Sequence, residues 1–266
     1  EHIRQAVELR KAVDGEMLAP RQPPAAPSRV PQAQIPQIPG ERLSPAHLEA
    51  NRIIAHDVTD PRSRAFDILR TQVLQELDRN SSKFLAITSA TPDCGKTLTS
   101  VNLALSIARQ PDRSVVLIDL DLQKPNVSAT LGLRPKRGLL ALLIGECSLS
   151  DALVEVSVGH TKMLVLPTEK ATQSSSEKLN SRPMADLLDQ IKRDLSSSIV
   201  IFDLPPILAS DDVISMLPSI DSALFVTAVG VTTHAQIKDC KKHLELTNVI
   251  RIVVNKSVDV TSSYYY

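Results

Sequence analysis

Apolar and polar positions change period several times along the chain, and each change predicts an element. An unbroken apolar run starts at Phe84 and gives way to a polar loop that ends in Gly95, Lys96 and Thr97. It predicts a buried strand followed by a loop. Leu98, Val101, Leu103, Leu105 and Ile107, with alanines between them, predict a helix lasting to about Gln110. Upstream, Phe66, Leu69, Val73 and Leu77 recur at helical spacing and predict a helix over 61–78. Downstream, 114–125, 163–167, 198–206, 222–228 and 248–255 read as buried strands, while 182–195, 211–216 and 233–246 read as helices. Strands alternating with helices of this length imply right-handed crossovers. The expected class is α/β, a mostly parallel sheet with helices on both faces.

The first part of the chain has a different texture. Ile3, Ala6, Val7 and Val13 fall near one helical face and predict a weak amphipathic helix within 1–19. Eight of the chain's 18 prolines then fall within 20–45, among Gln, Ala and Ser, with almost nothing apolar to build a core from. This stretch reads as a disordered linker, partly polyproline II. The folded domain is expected over 46–256, followed by a polar, flexible tail over 257–266.

Composition narrows the function classes. At 266 residues and 42% hydrophobic content, the chain can bury one sizeable core with some length to spare. Thirty basic and thirty acidic side chains cancel, so no bulk field favours nucleic acid or an anionic membrane. Cys94, Cys147 and Cys240 are few, odd in number and widely spaced, which argues against a disulfide framework or a zinc site and for the cytoplasm. No apolar run approaches the roughly 20 residues that span a bilayer. The first residue is Glu1 rather than Met, which leaves room for an upstream, membranous part.

The candidate chemistry gathers where strands end. Gly95 lets backbone approach a phosphate, Lys96 carries a charge that reaches the β- and γ-phosphates, and the Thr97 hydroxyl is a Mg2+ ligand type. Ala90 replaces the first glycine of the usual pattern. Asp119 and Asp121 stand two apart at the end of one strand, a spacing expected to put both carboxylates on one face. Asp203 ends another strand, as does Asn255. Ligands in parallel sheets sit beyond the carboxyl ends of strands, where all these residues fall. Asp93 is an acid inside the loop, unfavourable to polyphosphate unless its side chain points to solvent. All three tyrosines are the last three residues, Tyr264, Tyr265 and Tyr266, an arrangement unlike core packing.

Three ordered motifs, Ala90 to Thr97, Val116 to Pro125 and Ile199 to Pro206, resemble the Walker A, A′ and B motifs of bacterial tyrosine kinases. These BY-kinases govern capsule and exopolysaccharide synthesis and belong to the deviant-Walker P-loop NTPases. The resemblance covers about residues 60–266. It implies that Lys96 and the loop residues Asp93, Cys94, Gly95, Thr97 and Leu98 hold ATP, with Asn255 at the base. It implies that Thr97, Asp119 and Asp203 manage Mg2+, that Asp119 and Asp121 assist the acceptor hydroxyl with Lys96, and that Tyr264, Tyr265 and Tyr266 are phosphorylated in a neighbouring subunit.

The partners it implies are further copies of the chain and a membrane co-polymerase-type activator, an upstream segment of the same polypeptide being one form of it, at the inner face of the membrane. The family's Glu-x-x-Arg-x-x-Arg subunit-contact pattern is altered here to Arg64, Asp67 and Arg70. The alternative reading is a nucleotide-switched assembly ATPase without kinase activity.

Overall fold

The structure, a computed structural model, describes residues 38–257. The amphipathic helix expected in 1–19 and the tyrosine tail lie outside the described residues, as does most of the expected linker. Eight strands form one sheet: β1 (Gly40–Arg42), β2 (Phe84–Ser89), β3 (Ser114–Asp119), β4 (Val154–Val158), β5 (Thr161–Leu166), β6 (Ser198–Asp203), β7 (Ser222–Ala228) and β8 (Asn248–Asn255). The helices are α1 (Pro45–Ala50), α2 (Ser63–Arg79), α3 (Lys96–Ala108), α4 (Val127–Leu131), α5 (Leu139–Leu143), α6 (Leu149–Ala152), α7 (Ser175–Leu179), α8 (Arg182–Asp194), α9 (Asp212–Met216) and α10 (His234–Leu244). None of them is long and apolar enough to cross a membrane.

The strand order is β1-β4-β5-β3-β6-β2-β7-β8. All neighbours run parallel except β4 and β5, which form an antiparallel hairpin. Alternate residues of the central strands serve different layers, as the two-residue side-chain period requires. Leu85, Ile87, Ile199 and Ile201 pack with Val73 and Leu77 of α2 and with Val101 and Leu105 of α3. Phe84, Ala86, Val200 and Phe202 pack with Leu187 and Ile191 of α8 and Leu244 of α10 on the other face. Helices therefore cover both sides, as expected.

Three expectations change. The Pro-rich stretch expected to run to residue 45 already joins the sheet at Gly40, whose strand extends the edge by pairing with Glu155 to Ser157 of β4. Strand β8, expected to be buried, is an edge strand with Ile252 and Val254 58% and 61% exposed. The strand expected over 114–125 stops at Asp119, because the chain turns back at Asp121, whose carbonyl accepts from Lys124 N–H. Strand β4 was not anticipated, although Val154, Val156 and Val158 alternate with polar residues as a half-buried strand should.

Asp67 and Arg70 of that pattern are engaged within the chain. Asp67 accepts from Arg109, from Ser106 Oγ at 2.8 Å and from Arg70 at 3.1 Å. Burial alone would raise the Asp67 carboxyl, but the Arg109 and Ser106 bonds and the charges of Arg109 and Arg70 hold it below the ordinary carboxylate range. A carboxyl depressed in the folded state stabilises above its unfolded value, about 3.9, and loses that contribution as pH falls through the folded value. The gap in urea midpoint between the wild type and Asp67→Asn is thus expected to be full at neutral pH and to close on acidification below about pH 4. A gap that stays constant down to acid pH would contradict this assignment.

Candidate functional site

The site forms where β2, β3 and β6 end side by side. Strand register sets Asp203 of β6 beside both Ile87 of β2 and Asp119 of β3, so the loops after all three strands emerge together. After β2 the chain loops through a left-handed Asp93, with φ of +61°, and a left-handed Gly95, with φ of +87°. Helix α3 starts at once at Lys96, so its first N–H groups and its positive dipole end face the loop. Gly95 is required twice over. Its φ suits glycine, and a Cβ there would lie 2.1 Å from Asn255 Nδ2.

Internal bonds fasten the loop from behind. The Cys94 side chain turns into the core, with Sγ 3.4 Å from Thr232 Oγ1, and the Cys94 carbonyl accepts from Asn255 Nδ2 at 2.9 Å. Asn255, assigned to the base by resemblance, is thus placed against the loop from the sheet side. Asp93 is exposed at the rim, which is what an acid beside a polyphosphate requires.

In front of the loop lies a cleft of about 680 Å³ bordered by Asp93, Gly95, Lys96, Thr97, Leu98 and Asp121. Lys96 Nζ donates to Asp121 Oδ2 at 2.7 Å, the Thr97 hydroxyl donates to Asp203 Oδ2 at 2.6 Å, and Ser100 Oγ donates to Asp203 Oδ1 at 2.9 Å. Burial on its own would lower Lys96, but Asp203 and Asp121 hold it above the ordinary lysine range. Burial, reinforced by Asp203, raises Asp119 well above the ordinary carboxylate range, and burial also raises Asp203. Asp119, Asp121 and Asp203 thus bring more negative charge together than Lys96 alone balances, a condition that an added cation relieves.

The two acids of the second motif part ways. Asp121 borders the cleft, whereas Asp119 is wholly buried. The Asp119 carboxylate accepts backbone N–H groups of Asp121 at 3.2 Å and of Asn126 and Val127 at 3.0 Å. It therefore shapes the loop that carries Asp121, and the shared strand face expected of the pair is replaced by a strand end and a turn.

Several residues escaped the sequence reading. Ser100 lies one turn beyond Thr97 on α3, and that i, i+3 spacing was the available signal. Asn51, Lys124 and Thr130 also border the cleft. Asn51 arrives there because the buried Asn102 side chain accepts from Ile54 and Ala55 N–H groups at 2.8 and 2.9 Å, pinning that segment to α3. No local pattern announces such a long-range tie.

The all-oxygen pair of Thr97 and Asp203 suits Mg2+, which prefers hard ligands and phosphate oxygens, while Asp119, the third residue that the resemblance assigns to the metal, has its carboxylate engaged by backbone N–H groups. Among the described residues no three His, Cys, Asp or Glu side chains cage a metal by themselves. A Mg2+ here would be shared with phosphates, and the residues present fit it on those terms.

Comparisons with known proteins bear on the family and the fold. A family profile described as an AAA domain matches residues 82–258. Tyrosine-protein kinase YwqD of Bacillus subtilis (strain 168) is 31% identical over 216 residues, 79% of this chain and 89% of YwqD. Succinoglycan biosynthesis transport protein ExoP of Rhizobium meliloti (strain 1021) is 32% identical over 208 residues, 75% of this chain but only 26% of ExoP. The chain thus spans about a quarter of the length of that relative. The solved kinase domain of Escherichia coli tyrosine kinase ETK superposes with a TM-score of 0.69 at 27% identity, over 80% of this chain and 83% of that one. The Pyrococcus furiosus cell division ATPase MinD, at 23% identity and a TM-score of 0.53, shares the fold alone. The chain belongs to the AAA-domain P-loop family and, within it, to the bacterial tyrosine-protein kinases.

Proposed function

We propose that the chain is an ATP-dependent protein-tyrosine autokinase whose acceptors are Tyr264, Tyr265 and Tyr266, presented by a neighbouring copy. The observation that carries this is the convergence of Lys96, Thr97, Asp121 and Asp203 around one cleft at the carboxyl end of the sheet. The loop and first-turn N–H groups bind the nucleotide phosphates, and Lys96 exchanges Asp121 for the transferring phosphoryl group. Mg2+, when bound, neutralises charge on the phosphates. The tyrosine oxygen bonds to the γ-phosphorus as the bond to the β,γ-bridging oxygen breaks and ADP leaves. Asp121, released by Lys96, takes the hydroxyl proton, while Asp119 holds the Asp121 loop in place. Most of the acceleration comes from positioning and preorganised charge.

The wider role we infer is control of exopolysaccharide or capsule synthesis at the inner face of the membrane, through a co-polymerase-type activator. An upstream segment of the same polypeptide is one form this activator takes. Support comes from the relative named as a succinoglycan biosynthesis transport protein, of which this chain spans 26%. The test is mass spectrometry of the last peptide after incubation with Mg-ATP, beside a variant with Tyr264, Tyr265 and Tyr266 changed to Phe. Phosphate on the wild-type peptide alone is the expected result. An unmodified peptide combined with ATP-dependent self-association would overturn the kinase reading in favour of an assembly ATPase.

A further inference from the structure

A second concavity lies away from the phosphate loop, between α10 and the edge strand β8. It has a volume of about 640 Å³, with an apolar floor that includes Phe225, Ile237, Val249 and Ile252 and with Lys238 and Lys241 at its rim. Strand β8 pairs with β7 on one side and with no other strand among the described residues on the other. An eight-residue edge with Ile252 58% exposed is the kind of surface that proteins cover to avoid unwanted pairing.

We propose that this groove is the resting place of residues 258–266 of the same chain, which fold back along β8 and seat their tyrosine rings on its apolar floor. Four observations point to that occupant. The segment starts where β8 ends, and Lys256, with φ of +57°, already turns the chain away from the strand direction. Its nine residues reach about 30 Å when extended, against about 26 Å for the eight of β8, so it spans the whole groove. Val258, Val260 and Thr261 are strand formers, and the three tyrosines that follow supply large rings with polar tips suited to an apolar floor under a lysine rim. Tethering also gives the segment an effective concentration in the millimolar range.

A second copy paired edge to edge fits less well. Two-fold pairing of β8 would bring two α10 helices together, each with Lys238 and Lys241 beside the groove. A seated tail is withheld from any other protomer's cleft, so the groove sets how much acceptor is free. The seating does not depend on the kinase reading, and its readout involves no phosphate transfer.

The test uses the full chain in a deuterated background with protonated tyrosine rings and isoleucine methyls. Every tyrosine of this chain lies in this segment, so any ring-to-methyl Overhauser contact reports its position. Contacts from tyrosine rings to the Ile237 and Ile252 methyls are expected, and Ile252→Lys, a change at an exposed site, should abolish those to Ile237. Absence of the contacts in the wild type would overturn the proposal. So would contacts that appear in a mixture of tyrosine-labelled and isoleucine-labelled chains at the strength seen in doubly labelled chains, since the occupant would then be another copy's tail.

Discussion

Lys96→Met is expected to lower the proposed phosphate transfer to the tail tyrosines by about two to three orders of magnitude, the loss typical of removing one preorganised charge from a transition state. Lys96 is the one lysine held within the acid cluster, donating to Asp121 at 2.7 Å and raised by Asp203 and Asp121 together. Its loss leaves those carboxylates without their cation, so nucleotide affinity falls along with the rate. Asp121→Asn separates the two contributions. Without the Asp121 charge, Lys96 is freer to meet phosphate, so nucleotide binds at least as tightly as in the wild type while transfer still falls for want of a proton acceptor. Titration with a fluorescent ATP analogue, beside phosphotyrosine detection, measures both quantities. Transfer retained in Lys96→Met, or affinity lost in Asp121→Asn, would remove Lys96 and Asp121 from these roles.

Phe202→Ala is expected to destabilise the fold by about 3–5 kcal/mol, the usual range for emptying a buried aromatic site. The Phe202 side chain is fully buried, and its ring meets Phe84 edge-on at 5.1 Å between centroids, under α8. That is a large part of the roughly 5–15 kcal/mol that separates folded from unfolded domains. Phe202 also immediately precedes Asp203, so slack around the ring is transmitted to the carboxylate that Thr97 and Ser100 hold. Urea denaturation gives the first effect directly. A midpoint within error of the wild type would mean that neighbouring side chains collapse into the space.

The central strands and their order of appearance were legible because β2, β6 and β7 are buried on both faces and therefore read as unbroken apolar runs. Strand β8 has similar residues in an edge position, and a run of Val and Ile does not say whether a neighbour lies on one side or two. The linker boundary failed for a related reason. Gly40 to Arg42 is exposed at all three positions and lacks any apolar signal, so only pairing with β4 makes it a strand.

What the sequence by itself determined is the chemistry at the ends of strands: a loop ending in Gly95, Lys96 and Thr97, and acids at 119, 121 and 203, because residue types and short spacings are local facts. What the tertiary structure decided is which of those groups meet. The register of β3 against β6 sets Asp119 beside Asp203, and the turn after β3 sends Asp121 to Lys96 while burying Asp119 under three backbone N–H groups. Asn255 reaches the phosphate loop across 161 residues of chain separation, because β8 lies beside β7 and β7 beside β2. Register, turns and sheet order depend on the packing of distant segments, and no window of local sequence contains that information.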